Sequence, residues 1–483
     1  MSGPTSAGLT VSFLVARVIR SLTTMGMIHA EGFMLGICMH RLMENKRLNT
    51  SDRLVFVATS DLSGILRSKS FPISQWEKRC HSGLGWTPAN AQITCFDTFS
   101  DGALGAFGDL ALVPDAEMRF TLGQGEDIFD LALGDIRTLA GDPWVCCPRS
   151  HARRAIDALK KACGATLLAA FEHEFQIKNV TPRVGDGFGA KGFRDAKGWS
   201  GPFLAALAQT SCQPDSFMKE FGPSQYEVTI KPAVGLMAPD NAVILRFLAE
   251  DVIASHGAMP SFSPILNPDG IGNGVHIHFS FVNDAGLPLT HDASDPHGMS
   301  EMTRHFIGGI LHYLDQILAF LAPSEISYLR LQPNRWSAAY NNLGYRDREA
   351  SVRICPVSTL NPQEIARQFN FEVRSVDAAA SPYLAYAALV FAGTQGVKDR
   401  IEPPKPTEQD LSVLAEDELA AQGICRLPQT LDKALGRCDH SAAVRGWFGD
   451  EFVDLYVANK RGEMAVLSEL DWNQKCDRYK DVY

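Results

Sequence analysis

Residues 167–177 read LLAAFEHEFQI. Successive side chains on a strand point to opposite faces, so Phe171, His173 and Phe175 share one face and Glu172 and Glu174 share the other. Taken singly this is a half-buried strand with an acidic solvated side. The pattern recurs, however. In QYEVTI (225–230), Glu227 and Thr229 share a face, and Glu220 folds back towards the same strand end across the Gly222-Pro223 turn. In GVHIHFSF (274–281), Val275, Ile277, Phe279 and Phe281 oppose His276, His278 and Ser280. In FEVRS (371–375), Glu372 and Arg374 oppose Phe371 and Val373.

A solvated face mixes Lys, Thr and Gln, whereas these positions are almost all acids and histidines. Carboxylates gathered on one surface raise one another's pKa unless cations neutralise them. Glu172, Glu174, Glu220, Glu227, His276 and Glu372 supply three ligands each for two hard cations. An oxygen-rich set of this kind suits Mg2+ or Mn2+, and the lack of thiolates at motif spacing disfavours zinc. The segment 327–356 adds Arg330, Arg335, Arg346, Arg348 and Arg353, with Arg374 shortly beyond. Guanidinium forks match carboxylate and phosphoryl oxygens. A purely structural, ion-paired arginine cluster is the plainer alternative.

Outward from these strands the texture is mixed. A helix is expected from Ser150, stopped by Gly164. Strands and helices then alternate: 167–177, a loop rich in Gly and Lys, 225–232, a helix over 240–257, 274–281 and a helix around Met302–Leu321. The strands EASVRI and FEVRS and the alanine-rich stretch 382–393 follow. Pro403–Pro406 marks a loop before C-terminal helices. This predicts a large α+β domain over 141–483, built on one extended sheet. Towards the N-terminus, RLVFVATSDLSGILRSKSF (53–71) reads as two β runs about a turn at 61–64. Further β-like pieces fall at Gln92–Phe96 and Asp109–Val113, helical signals are sparse, and a small sheet domain over 49–140 is expected. Residues 1–48 form an N-terminal extension. Its apolar stretch Leu9–Leu22 is broken by Arg17 and Arg20 and has neither a basic start nor a small-residue cleavage site, so a poorly ordered extension or an added helix is expected rather than a signal.

Composition narrows the function. The 483 residues suffice for two domains. A net charge of −10 without any basic tract argues against a nucleic-acid partner. No apolar run is long enough for a membrane span. The 11 cysteines show no C-x-x-C spacing and read as reduced thiols of a cytoplasmic protein.

In this order the segments resemble the glutamine synthetase family. FEHEF (171–175) is similar to its E-x-E strand, EFGPSQYE (220–227) to its E-x-GPGQ-x-E segment, and GNGVHIHFS (272–280) to its G-x-G-x-H-x-H-x-S segment. REASVRI (348–354) resembles its N-R-x-x-x-x-R-I strand, and residues 371–393 resemble its long E-x-R-x-P-D signature. The resemblance implies a small β-grasp-like N-terminal domain followed by a catalytic domain on a curved antiparallel sheet. It implies a homo-oligomer of two stacked rings, ten or twelve subunits in all, with active sites shared between neighbours.

Carried over residue by residue, it makes Glu174, Glu220 and Glu227 ligands of one metal and Glu172, His276 and Glu372 ligands of another. Arg348 and Arg353 are expected on nucleotide phosphates, with His278 and Ser280 near the nucleotide. Gly272, Arg330 and Arg374 are expected around glutamate. Asp97 and Asp109 look like the aspartates that a neighbouring subunit contributes to the amine site.

The implied reaction activates the γ-carboxylate of L-glutamate with ATP, and an amine then displaces phosphate. Arg374, Asp97 and Glu220 are the expected catalytic residues. Three departures from ammonia-using members stand out: Ile271 replaces Asn, Trp336 replaces a flap Glu, and Asn370 replaces Arg. Trp336 and Ile271, with Asp97 and Asp109, therefore predict a pocket for an organic amine. The alternatives are ammonia as the amine, or a catalytically silent sensor or scaffold. The full set of ligand candidates argues against the silent form.

Overall fold

The computed structural model of the chain describes residues 53–102, 104–123 and 128–483; the expected extension over 1–48 lies outside the described residues. The first sheet holds β1 (Leu54–Ser60), β2 (Leu66–Pro72), β3 (Leu84–Trp86), β4 (Leu110–Leu122) and β5 (Phe129–Thr138), in the order β2-β1-β5-β4-β3. Its pairs are antiparallel except β1 with β5, which run parallel. The β1–β2 turn forms because Asp61 accepts the N–H groups of Ser63 and Ile65, both at 2.9 Å, while Gly64 takes φ +76°. Val55, Val57 and Leu112 are buried on one of its faces and Leu131 and Leu133 on the other.

One expected strand here is absent. Gln92 closes a 3-10 turn that begins at Pro88, and residues 93–96 keep a single bridge, Ile93 to Phe99. Proline at the first position of that turn fixes φ in the helical range, which overrides the β-like composition that follows.

The second sheet holds β6 (Thr166–Ile177), β7 (Pro214–Lys219), β8 (Gln225–Ile230), β9 (Ala233–Val234), β10 (Pro260–Ser261), β11 (Val275–Val282), β12 (Leu343–Tyr345), β13 (Val352–Ile354) and β14 (Phe371–Val373). Its main path runs β12-β13-β14-β11-β6-β8-β7, with β9 and β10 paired to β6. It is antiparallel throughout except for the β12–β13 pair. The apolar faces of β6, β11 and β14 bury Phe171, Phe279 and Phe371 under the helix Pro382–Asp399, where Tyr386 lies 6.2 Å from Phe171 and 5.9 Å from Phe279 between ring centroids. Each such aromatic contributes about 1.5–3 kcal/mol by leaving water.

That helix starts at Pro382 and crosses the helix Glu301–Leu321 closely. A Cβ on Gly309 would lie 2.7 Å from the Gly396 Cα, so only glycine allows this approach. The helix Pro148–Cys163 ends where expected, at Gly164 with φ +71°. Among the described residues no helix is long and apolar enough to cross a membrane.

The Gly- and Lys-rich loop expected after β6 holds two helices, Ala190–Asp195 and Lys197–Leu207. Gly192, Gly198, Gly201 and Pro202 weaken the local helical signal, but burial of Trp199, Phe203 and Leu207 outweighs it. Arg149 ties the first sheet to the helix Met237–Leu248 through charge. It binds Asp240 through Nε at 2.9 Å and Nη2 at 2.8 Å, Asp135 of β5 at 3.1 Å and Asp115 of β4 at 2.8 Å, while 1% exposed.

Candidate active site

Register places the polar residues of the sheet side by side. Glu174 of β6 pairs with Glu227 of β8, and Glu172 of β6 pairs with His276 of β11. His278 of β11 pairs with Glu372 of β14, which in turn pairs with Arg353 of β13. Five strands thus bring four acids, two imidazoles and a guanidinium to one face, opposite the aromatic core.

His276 Nδ1 donates to Glu172 Oε1 at 2.7 Å, which leaves its Nε2 facing Glu174 Oε1 at 4.0 Å. His278 Nε2 lies 3.1 Å from Glu372 Oε2 and 3.6 Å from Glu172 Oε2. Glu372 Oε1 accepts from both Arg353 Nη1, at 2.9 Å, and Arg374 Nη1, at 2.7 Å. Glu174 Oε2 accepts the Gly274 N–H at 2.8 Å, and Gln225 braces the same loop by donating to Gly272 O and Asn273 Oδ1, both at 2.9 Å. The glycines of the G-x-G segment are required for approach: a Cβ on Gly274 would lie 2.7 Å from Arg330 Nη2 and 2.9 Å from His276 Nε2.

The electrostatics divide the acids. Burial pushes Glu227 up, and the charges of Glu172, Glu174 and Glu220 add to it, to about 9. Glu220 is also raised, by burial first and then by Glu174 and Glu172. Burial opposes ionisation of Glu172 and Glu372 too, yet hydrogen bonds from the histidines, with Arg374 at Glu372, hold both well below the ordinary carboxylate range. The same contacts with Cys355, Glu172 and Glu372 outweigh burial at His278 and raise it.

Arginine and histidine neutralise Glu372 and Glu172, while Glu174, Glu220 and Glu227 crowd beside them without a cation of their own, and the donor set fits hard divalent cations. One ligand atom each from Glu172, His276 and Glu372 lies within 4.8 Å of the others. Glu174, Glu220 and Glu227 are adjacent but do not close to that spacing among the described residues.

The arginines separate into two groups. Arg330, Arg353 and Arg374 are 3%, 7% and 5% exposed. Each leaves a buried N–H without an acceptor: Arg330 Nη1, Arg353 Nε and Arg374 Nε. Arg330 Nη2 donates to Arg374 O at 3.0 Å, and Arg374 Nη2 reaches Trp336 O at 3.4 Å. Arg348 is exposed instead, lining a cleft of about 470 Å3 with Tyr340, Tyr345, Arg346, Glu349 and Asp410. Ser280 is half-buried on β11, on the polar face with His278.

Trp336 stands 67% exposed at φ +53°, its N–H held by Glu349 Oε1 at 2.9 Å, and Ile271 is 39% exposed. Asp97, at φ +55°, pairs with Arg67 at 3.0 Å, and Asp109 is exposed just before β4. Neither shares a hydrogen bond or ion pair with the glutamates and histidines of the sheet among the described residues. Cys355 was not foreseen: it follows β13 and sets its Sγ 3.7 Å from His278 Nδ1. No spacing motif flags it, because its neighbours come from other strands.

A family model described as the glutamine synthetase catalytic domain matches residues 145–479, and one for the glutamine synthetase N-terminal domain matches 38–144. The γ-glutamylpolyamine synthetase GlnA3 of Streptomyces coelicolor is 31% identical over 445 residues, covering 89% of this chain and 93% of that protein. Type-1 glutamine synthetase 1 of Dictyostelium discoideum is 26% identical over 464 residues, covering 89% and 90%. A crystal structure described as a novel glutamine synthase homolog superposes with a TM-score of 0.82 at 36% identity, covering 91% of this chain and 100% of the other. With both family domains matched end to end and the acidic sheet in place, the chain belongs to the glutamine synthetase family of ATP-dependent ligases.

Proposed function

We propose that the protein joins the γ-carboxylate of L-glutamate to an organic amine, through γ-glutamyl phosphate, with release of ADP and phosphate. The observation that carries this reading is the trio of buried arginines beside the acidic cluster, each with an N–H that lacks an acceptor. A buried unpaired donor is costly, and oxygen atoms of glutamate and of the transferring phosphoryl group would satisfy all three.

Mg2+ or Mn2+ held by Glu172, His276 and Glu372, and by Glu174, Glu220 and Glu227, would neutralise phosphoryl charge. Arg330, behind Gly272, orients the substrate carboxylates. Arg374, fixed with Arg353 by Glu372, lies with glutamate and meets the phosphoryl group as it transfers, while Arg353 faces the nucleotide with His278 and Ser280, and Arg348 reaches the nucleotide from the rim. A γ-carboxylate oxygen of glutamate attacks the γ-phosphorus of ATP, and the bond to ADP breaks. The amine nitrogen then attacks the acyl carbon, loses a proton to a carboxylate, and phosphate leaves. Glu220, whose pKa burial raises, and Asp97 from a neighbouring copy are the candidate acceptors.

The amine class rests on Trp336 and Ile271. An exposed indole presents apolar area worth about 2 kcal/mol to a carbon-bearing amine, at roughly 25 cal/mol per Å2, and gives ammonium no carboxylate. The likeness to a γ-glutamylpolyamine synthetase supports an amine larger than ammonia. Assembly in stacked rings, with Asp97 and Asp109 completing a neighbour's amine site, is supported by Phe99 and Phe107, which are 68% and 87% exposed in the same segment.

The test is kcat/KM, by glutamate-dependent ADP release, for ammonium, methylamine, isopropylamine, putrescine and aniline. An organic amine is expected to lead. Ammonium as the best substrate overturns the amine assignment and leaves a glutamine-forming enzyme.

A further inference from the structure

Cys355 is held where a thiolate could enter the acidic sheet. Its N–H donates to Asn370 O at 3.1 Å, which fixes it beside β14. Its Sγ lies 3.7 Å from His278 Nδ1, and one ligand atom each from Cys355, His278 and Glu372 lies within 4.8 Å of the others. His278 Nε2 is itself buried, 3.1 Å from Glu372 Oε2. Asn370 Oδ1, 2.9 Å from His278 Nδ1, offers a further oxygen at the rim.

Glu372 therefore belongs to two possible triads. With Glu172 and His276 it forms a set of two oxygens and one nitrogen, suited to Mg2+ or Mn2+. With Cys355 and His278 it forms a set of sulfur, nitrogen and oxygen, which favours a softer ion of the Zn2+ class.

We infer that Cys355, His278 and Glu372 form a soft-cation site that competes with the adjacent hard-cation triad for Glu372, so that zinc inhibits the enzyme by occupying it. Binding releases the thiol proton of Cys355 to solvent and draws one Glu372 oxygen from the hard-cation site. Arg353 and Arg374 both occupy Glu372 Oε1, so Oε2 alone is left to face either ion, and two divalent cations drawn to that one oxygen repel each other.

The experiment adds one equivalent of Co2+ to the full-length, metal-free enzyme and records the near-ultraviolet thiolate-to-cobalt charge-transfer band. In parallel, the Zn2+ concentration that halves the Mg2+-supported rate is measured, each enzyme normalised to its own uninhibited rate. In Cys355→Ser and Cys355→Ala the band is expected to vanish and the half-inhibiting zinc concentration to rise by about tenfold or more.

A wild-type cobalt spectrum without a thiolate band overturns the site, and so does a band or zinc sensitivity that persists in both variants. If neither variant folds, zinc absorption-edge spectroscopy on the wild type with one equivalent decides: a sulfur neighbour supports the site, and nitrogen and oxygen alone refute it. The inhibition arm rests on the amide-ligase reading, whereas the spectroscopic arm needs no substrate, so the two can fail separately.

Discussion

Replacing Arg374 by lysine keeps the charge and removes the fork. In the native arrangement Nη1 meets Glu372 Oε1 at 2.7 Å, Nη2 meets the flap carbonyl of Trp336 at 3.4 Å, and Nε is buried without an acceptor. A lysine ammonium can follow Glu372, so the buried charge stays paired. It cannot also hold the Trp336 carbonyl or present a donor in the Nε direction.

The folded state then loses one long hydrogen bond, about 1 kcal/mol, which an assembled protein tolerates. The catalytic loss is larger. A preorganised donor aimed at charge that develops in the transition state is worth about 3 kcal/mol, on the order of a hundredfold to a thousandfold in kcat. Steady-state kinetics with glutamate and ATP varied in turn, on protein checked for wild-type size and melting, should show kcat falling by that factor with little change in either KM. A kcat within about threefold of wild type, or a change confined to the KM for glutamate, refutes the argument for phosphoryl contact.

Glu372→Gln removes the charge that neutralises Arg353 and Arg374. Turnover should be abolished at saturating Mg2+, and urea unfolding should show a loss of about 3–5 kcal/mol, since two buried guanidinium groups lose their anion. Trp336→Glu should move amine preference towards ammonium; an unchanged ranking of amines contradicts the role given to the indole. His151 packs against Phe448 and Phe452 at 5.0 and 4.3 Å between centroids, and burial, aided by the Arg154 charge, lowers its pKa to about 3. The unfolded chain therefore binds a proton below about pH 6.5 that the folded chain refuses. The stability this preserves is complete above pH 6.5 and declines as pH falls from there towards 3, by about 2 kcal/mol at pH 5. His151→Phe should flatten the fall in unfolding midpoint between pH 7 and pH 5, and an equally steep fall refutes the assignment.

The parts of the fold that were legible are those in which a local period meets a buried face. Alternation along 167–177 and 274–281 was enough to assign Phe171, Ile277 and Phe279 to the core and Glu172, His276 and His278 to the opposite side. Period alone cannot set one strand beside another, so the pairing of Glu172 with His276, and of Glu372 with both His278 and Arg353, emerges only from register.

The same limit hid Cys355, whose neighbours Asn370 and His278 lie on other segments. Arg348 and Arg353 are five residues apart, yet one is exposed and the other buried, because a turn separates the loop after β12 from β13. The helices over 190–207 were missed for a different reason: their glycines and proline deny a local signal, and their stability comes from burial of Trp199 and Phe203.

The central claim, that glutamate is activated as an acyl phosphate before an amine attacks, is tested most directly by isotope transfer. Glutamate carrying 18O in its γ-carboxylate is turned over with ATP and the best amine, and the released phosphate is analysed by mass spectrometry. One labelled oxygen per phosphate, together with a γ-glutamyl amide that retains the other, is the predicted result. Unlabelled phosphate released at the rate of amide formation would contradict the account.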